Sequence, residues 1–380
     1  MSTSRARAAF LALPVTLVLA ACAGGGDGAD KGSGDGPITV TATDTACELS
    51  RTEAPAGTVE FAVTNKGSKI NEFYVYAEGD RIMGEVENIG PGLSRTFHVE
   101  LSEPGTYQTA CKPGMVGDGI RADFTVTGSA GAAKSDDENL AAATATYQQY
   151  VAEEADEFLA RTTEFVALVK AGKVAAAKAL YPTARSSWER IEPVAESFGD
   201  LDPRIDGRED VVEEGMEFTG YHRLEKDLWR TALQKDSGEI ADRLLADVTE
   251  LVAKAKTVQL NPLQLANGSK ALLDEIATGK ITGEEERYSH TDLWDFDANF
   301  EGSKAALQAL RPFLLAKDPE LVETIDARGT ALEQLLDSHH SGEGFVLYTS
   351  LGDADVKKLT EALDAFAEPV ATVAGVVAKG

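Results

Sequence analysis

Between Pro37 and Thr127 apolar and polar residues alternate in short runs: Ile38 to Ala42, Thr58 to Val63, Glu72 to Tyr76, Ser94 to Val99 and Ala122 to Val126. A period of two sends successive side chains to opposite faces of a strand. Turn signals at Pro55-Ala56-Gly57, Asn65-Lys66-Gly67, Pro91-Gly92 and Pro104-Gly105 separate the runs. About ninety residues of this kind predict a small all-β Greek-key sandwich. From Asn139 onward the period changes, and apolar positions recur three and four apart in a stretch rich in Ala, Leu, Glu and Lys. Breaks near Gly172, Pro182, Gly199 to Gly207, Ser237-Gly238, Pro262, Gly279 to Gly283, Pro319 and Ser341 to Gly344 divide it into about eight helices, in one long bundle or two stacked ones. No close repeat is visible, which argues against a solenoid.

Ahead of the strands, Arg5 and Arg7 precede an apolar run from Ala8 to Ala20 that Pro14 interrupts. A charged start with so short an apolar middle predicts an export signal and not a membrane-spanning helix. The ending Leu19-Ala20-Ala21-Cys22 resembles a bacterial lipobox, in which cleavage precedes the cysteine and its thiol takes up a diacylglyceryl group. Cys22 would then begin the mature chain as a lipid-bearing residue; the alternative is an ordinary signal peptide cut at a nearby small residue. The expected order is signal 1–21, flexible Gly/Asp/Ser-rich tether 22–36, β-sandwich 37–127, polar linker 128–138 and helical region 139–380. Such a chain is exported and held by lipid at the extracytoplasmic or periplasmic face of the cell membrane.

Charge narrows the chemistry. The 36 Lys and Arg against 63 Asp and Glu leave a formal −27, which argues against nucleic acid and suits cations. Three cysteines are too few for a disulfide scaffold or a thiolate-rich cluster. In an exported chain, Cys47 and Cys111 form either a disulfide or one or two metal-binding thiolates.

Phe218, His222, Glu225 and Trp229, spaced four, three and four, predict one helix face carrying an imidazole and a carboxylate between large apolar groups. Burying such groups unpaired costs roughly 1–3 kcal/mol each, so they need a metal ion, a salt bridge to an arginine such as Arg223 or Arg190, or a hydrogen-bond network. On a second helix Trp188, Ile191, Ala195 and Phe198 form a core stripe, with Glu189, Glu192 and Glu196 on the adjoining face. Three aligned carboxylates read as a solvated acidic face unless a cation sits nearby, and the loop from Leu201 to Asp210 brings Asp202, Asp206, Glu209 and Asp210 back towards them. One imidazole among carboxylates suits iron, zinc or manganese. Asp292, in Tyr288 to Phe296, is a helix-cap residue by position and a candidate ligand besides. His98 and His339-His340 read as solvent-facing.

In the β region, Gly105-Thr106-Tyr107 followed by Cys111-Lys112-Pro113-Gly114-Met115 resembles the ligand loop of a cupredoxin, but the loop has no His and Asn71-Glu72 stands where the earlier His would be. A blue-copper centre needs two imidazoles and a thiolate, which argues against one here. A different site built on Cys111, Met115 and Glu72, or on Met83, is the remaining metal reading of this region.

Tyr181-Pro182 through Trp188-Glu189-Arg190-Ile191-Glu192-Pro193, Asp206-Gly207-Arg208-Glu209 and Gly220-Tyr221-His222-Arg223-Leu224-Glu225-Lys226-Asp227-Leu228-Trp229 closely resemble the imelysin-like helical domain of the EfeO family of extracytoplasmic iron-uptake components. Asn88 to Ser94 and Ser289 to Ser303 are similar to it too, so the resemblance covers essentially the whole mature chain. It implies a mostly α multidomain chain: an N-terminal all-β cupredoxin-like sandwich, then an all-α imelysin-like region of two helical bundles. It also implies capture of Fe2+ or Fe3+, with zinc or copper as substitutes, and delivery towards an iron permease and a haem peroxidase. Carried over by motif, the metal residues are His222, Glu225, Glu189, Glu192 and Asp206. A zinc metallopeptidase is the competing enzyme reading, yet such a helix supplies His-Glu-x-x-His, which this chain lacks. Copper-dependent oxidation of ferrous iron through the β region is a third reading, weakened by the missing imidazoles. The expectation is a binding protein and not an enzyme.

Overall fold

The computed structural model describes residues 36–128, 137–199, 201–209 and 217–380. Cys22, the signal segment, Asp210 and most of the linker fall outside the described residues.

The alternating region folds into two sheets. Strands β1 (Ile38–Ala42), β2 (Cys47–Leu49), β4 (Gly57–Asn65) and β7 (Ser94–Leu101) form one, in the order β2-β1-β4-β7. The other runs β3-β9-β8-β5-β6, from β3 (Glu53–Pro55), β5 (Asn71–Tyr76), β6 (Ile82–Ile89), β8 (Gly105–Cys111) and β9 (Ile120–Thr127). Inward-facing residues such as Ile38, Phe61, Phe73, Phe97 and Phe124 fill the space between them. The five expected runs all lie in strands. Strands β2, β3, β6 and β8 are not among the expected runs; in β6, Ile82-Met83-Gly84-Glu85-Val86-Glu87 carries acids and a glycine where a half-exposed strand would show polar, β-branched residues.

Cys47 and Cys111 form a disulfide, with Cα atoms 5.6 Å apart, that ties β2 of one sheet to β8 of the other. It closes a loop of 64 residues. Opening it, by reduction or by replacing both cysteines with Ser, is expected to cost the sandwich roughly 4 kcal/mol. A lower denaturant midpoint for β-sandwich unfolding is the readout, and an unchanged midpoint would count against that contribution.

The helical region packs α1 (Glu138–Lys170), α2 (Val174–Ala195) and α5 (Ser237–Ala255) with the long α7 (Asp292–Lys317). Helix α7 extends on to meet α6 (Pro262–Thr278), α8 (Pro319–Asp337), α9 (Asp353–Val370) and α10 (Val373–Val377), so one apolar core runs through both groups. The expected break at Pro182 does not occur: Pro182 and Pro193 both lie inside α2. A proline there removes one backbone hydrogen bond, and burial of α2 against α1 on one side and α7 on the other outweighs that loss. At Gly302 a Cβ would run into the backbone of Arg190, which is how closely α7 approaches α2.

The two regions touch through β6 and β7, which lie against α6 and the turn Glu196–Phe198. Asn267 donates to the carbonyl of His98 across this contact at 2.7 Å. Strand β5 is buried on both faces, with Phe73 and Val75 in the sandwich and Glu72, Tyr74 and Tyr76 on the opposite face. Among the described residues no helix is long and apolar enough to cross a membrane.

Candidate metal centre

Helix α2 contributes Arg185, Glu189 and Glu192, spaced four and three and therefore on one face. This face points into the protein. The sequence suggested a solvated acidic surface beside the core stripe, but α7 covers it, while Trp188 and its neighbours face Phe158 of α1. Arg185 is 1% exposed and binds four carboxylates: Asp206, Glu189 at 2.5 Å, Glu286 at 2.7 Å and Asp295 at 3.7 Å. Asn299 of α7 braces Glu189 and Glu192 through its amide nitrogen, at 3.1 and 3.0 Å. Buried carboxylates this dense need cations and donors to offset lost hydration, and these groups supply part of that need.

A short helix, α3 (Leu201–Ile205), delivers Asp206, and α4 (Gly220–Lys226) delivers His222 and Glu225. Gly220 makes their approach possible. Its φ is +75°, and a Cβ there would overlap the carbonyl oxygen of Ile205. The single long face expected from Phe218 to Trp229 is not formed, because Phe218 precedes α4 and a π-helical turn follows at Asp227–Thr231. Neither expected arginine reaches the imidazole: Arg223 pairs with Asp227 and Asp236, and Arg190 with Glu154 and Glu301.

Among the described residues the side-chain partners of His222 are all carboxylates. Its Nδ1 lies 3.2 Å from Glu225, whose other oxygen accepts from the backbone N–H groups of Tyr288 and Ser289 at 2.9 and 2.7 Å. Its Nε2 has no hydrogen-bond partner among the described residues and faces Glu285 at 3.5 Å and Asp206 at 3.6 Å. Two ligand sets therefore meet at this ring, Asp206–His222–Glu285 and His222–Glu225–Glu286, with ligand atoms within 4.8 Å of one another in each.

The first set is the open one. Asp206 and Glu285 line a cavity of about 350 Å3 between the two regions, walled by Asp202 and Glu275 on the helical side and by Tyr74, Glu85 and Glu87 on the β side. On the Nδ1 side, Glu225 already has three partners. Glu286 accepts from Tyr181 at 3.2 Å and Ser289 at 2.9 Å, besides its Arg185 contact. Glu225 holds the ring at Nδ1, a carboxylate–imidazole contact of the kind usual beside metal-binding imidazoles. Replacing it, Glu225→Gln, is expected to weaken metal binding by about 10- to 100-fold at unchanged stoichiometry. Calorimetry checks this; full loss of the ion would make Glu225 a ligand instead.

The charges are finely divided. Burial and the Arg185 charge push His222 down, but Asp206, Glu225 and Glu285 outweigh them and lift it to about 10. Burial alone would raise Asp206, yet Arg185 and His222 hold it below the usual carboxylate range, and Lys280 with His222 and Arg208 does the same for Glu285. Glu286 is raised well above that range by burial and by Glu225, and Asp292 is raised to about 6 by burial. Asp292 accepts from the backbone N–H of Glu286 at 3.1 Å, so it caps the segment that carries Glu285 and Glu286.

The six residues named from the sequence, Glu189, Glu192, Asp206, His222, Glu225 and Asp292, are all buried in this one cluster. In the β region, Cys111 has its sulfur bonded to that of Cys47 and offers no thiolate to a second site with Met115 and Glu72. Glu72 instead accepts from Tyr74 at 3.1 Å, and Met115 is exposed on the cavity rim. Sequence reading missed Glu285 and Glu286, which sit in the turn after α6. Their signal was the acidic run Glu284-Glu285-Glu286 directly before the aromatic cluster at Tyr288.

A helical region enclosing this carboxylate–imidazole cluster, joined to a small β-sandwich, defines a two-domain protein of cupredoxin-like and imelysin type. The imelysin family model matches residues 143–373 and that of the cupredoxin-like domain residues 9–126. The iron uptake system component EfeO of Escherichia coli O157:H7 is 38% identical over 341 residues, 88% of this chain and 90% of its own length. EfeO of Shigella flexneri matches with the same identity and coverage. The chain belongs to the EfeO family. Among solved structures, dithionite-reduced auracyanin from Roseiflexus castenholzii aligns over 24% of this chain and 95% of its own, at 18% identity and a TM-score of 0.20.

Proposed function

We propose that this protein is an extracytoplasmic iron-binding component of an iron uptake system, which captures the ion at Asp206, His222 and Glu285 and delivers it to a membrane permease. The supporting observation is the Nε2 atom of His222, buried, without a hydrogen-bond partner among the described residues, and directed at two carboxylates that line a cavity. A nitrogen donor beside carboxylates is a donor set for iron, and also for zinc, while copper would enter as a substitute. EfeO relatives are named as iron uptake components, which directs the choice to iron. The ion here is cargo. Capture needs preformed ligands, and release follows when protons or a partner surface compete for the same carboxylates. A haem peroxidase and the permease of the same system are the partners, and the lipid on Cys22 keeps the protein beside them.

Anaerobic titration of the mature chain with Fe2+, and in parallel with chelated Fe3+, tests capture. Saturable binding of at least one ion per chain is expected, and no binding of either ion would end this reading. For the anchor, Cys22→Ala is expected to release the protein from membranes; retention of the variant there would refute lipidation.

A further inference from the structure

Four loops, 43–46, 66–70, 90–93 and 112–119, meet at one end of the β-sandwich, because Ala42 pairs with Cys47, Thr64 with Ser94, Asn71 with Ile89 and Cys111 with Ile120. Among the described residues seven large apolar side chains are exposed, and four of them, Ile70, Leu93, Met115 and Val116, stand on these loops at 42–57% exposure. Apolar residues exposed singly are ordinary, whereas a group of them at one end marks a contact surface. The loops are tied to one another. The amide of the buried Asn65 donates to the carbonyls of Lys69 and Ile89 at 2.7 and 2.6 Å, and its backbone bonds Leu93 at 3.0 Å and Gly92 at 2.8 Å. Gly114 donates to the carbonyl of Ile70 at 2.7 Å. Met115 is held at a φ of +61°, a region that bulky residues rarely adopt, although its side chain packs into no core.

Charge sets this end apart. The chain carries −27 in all, yet the four loops hold Lys66, Lys69 and Lys112 against Asp44 and Asp118. Asp44 is engaged besides by the hydroxyl and N–H of Ser68 and the N–H of Lys69. Aliphatic tips flanked by lysines suit the boundary between headgroups and acyl chains of an anionic bilayer, where apolar burial and electrostatic attraction add. Four side chains fall well short of a stable protein interface, which takes roughly 20 residues a side.

We propose that this end of the β-sandwich rests on an anionic membrane surface, with Ile70, Leu93, Met115 and Val116 at the headgroup boundary and the loop lysines among the lipid headgroups. The chain ahead of the sandwich permits it. The fifteen residues from Cys22 to Gly36 span at most about 50 Å. Strand β1 then leads from Ile38 to the loop end in five residues, about 17 Å. Lys112 and Met115 also line the cavity that holds Asp206 and Glu285, so the contact turns that cavity towards the bilayer. Only this use of the contact rests on the iron-delivery reading. The patch is weak by itself: the lipid on Cys22 keeps the chain on the membrane and the patch sets how it lies, so Cys22→Ala still leaves washed membranes.

Sedimentation of the full mature chain carrying Cys22→Ala with phosphatidylglycerol vesicles, at low salt and high lipid concentration, tests the contact without the lipid anchor. Binding is expected to fall as salt is raised and to be absent on phosphatidylcholine vesicles. Lys66→Gln should lower the partition about fivefold, the effect of one lysine near an anionic surface. Leu93→Glu together with Val116→Glu should abolish it and leave iron titration unchanged. No binding to phosphatidylglycerol vesicles, or equal binding by the double variant, would overturn the proposal. So would a dimer that the double variant breaks, without vesicle binding, which would make this end a surface between two copies of the chain. Should the double variant not fold, hydrogen exchange of the chain with its loops intact decides. Amides of 66–70, 90–93 and 112–116 should exchange more slowly with vesicles present, and unchanged exchange would overturn the proposal. Because the chain tested bears no lipid and no iron, its failure leaves the anchor and the metal centre standing, and theirs leaves this result standing.

Discussion

His222→Ala should lower iron affinity by more than about 100-fold, with helical content unchanged. Loss of an outer partner of a metal ligand costs roughly 10- to 100-fold, and loss of a nitrogen donor itself costs more. Glu285→Gln should act in the same direction, since it removes one of the two carboxylates that face Nε2. Glu286→Gln is the control. It lies on the Nδ1 side and is already bound to Tyr181, Ser289 and Arg185, so its effect on affinity should be within a few-fold. Calorimetry on the three variants, beside circular dichroism, separates these outcomes. If Glu286→Gln matches His222→Ala while Glu285→Gln binds normally, the ion sits on the other side of the ring.

Iron binding near neutral pH should release about one proton per ion, and apparent affinity should rise about tenfold per pH unit from roughly pH 6.5 to 9. The cause is that His222, with its pKa lifted to about 10, is an imidazolium before the metal arrives and must give up its Nε2 proton to bind. The stability of the metal-free protein has the opposite sign. A group raised in the folded state from its ordinary 6.5 contributes stability that is fully present below that value and lost as pH rises through about 10. Heating the metal-free protein should therefore show a falling transition temperature over the same interval in which affinity climbs. Titrations in buffers of different ionisation enthalpy count the protons. A count of zero at pH 7 would mean that the imidazole is neutral beforehand or takes no part.

Much of this was legible in the sequence, and the rest was hidden for identifiable reasons. The change of period at Asn139 marked the two regions, because periods of two and of 3.6 are set by backbone geometry alone. His222 and Glu225 were legible as polar residues at core spacing. Glu189 and Glu192 were harder: a glutamate face is the same in sequence whether it meets water or another helix, and only the close approach of α7 at Gly302 decides it. Arg185 and Lys280 read as ordinary charged residues for the same reason. Helix α7 did carry a signal, since Asp292, Asp295, Asn299 and Ser303 form a polar stripe at helical spacing on a buried helix. The approach of Asp206 to His222 depends on the positive φ of Gly220, and nothing in a one-dimensional pattern specifies which carboxylate such a turn brings near.

Diffraction from crystals of the iron-loaded protein, with anomalous data at the iron edge, locates the ion directly. The peak should lie within bonding distance of His222 Nε2 and the carboxylates of Asp206 and Glu285, with Glu225 still on Nδ1. A peak on the Glu225–Glu286 side of the ring, or no peak in this cluster with iron bound elsewhere, would contradict it.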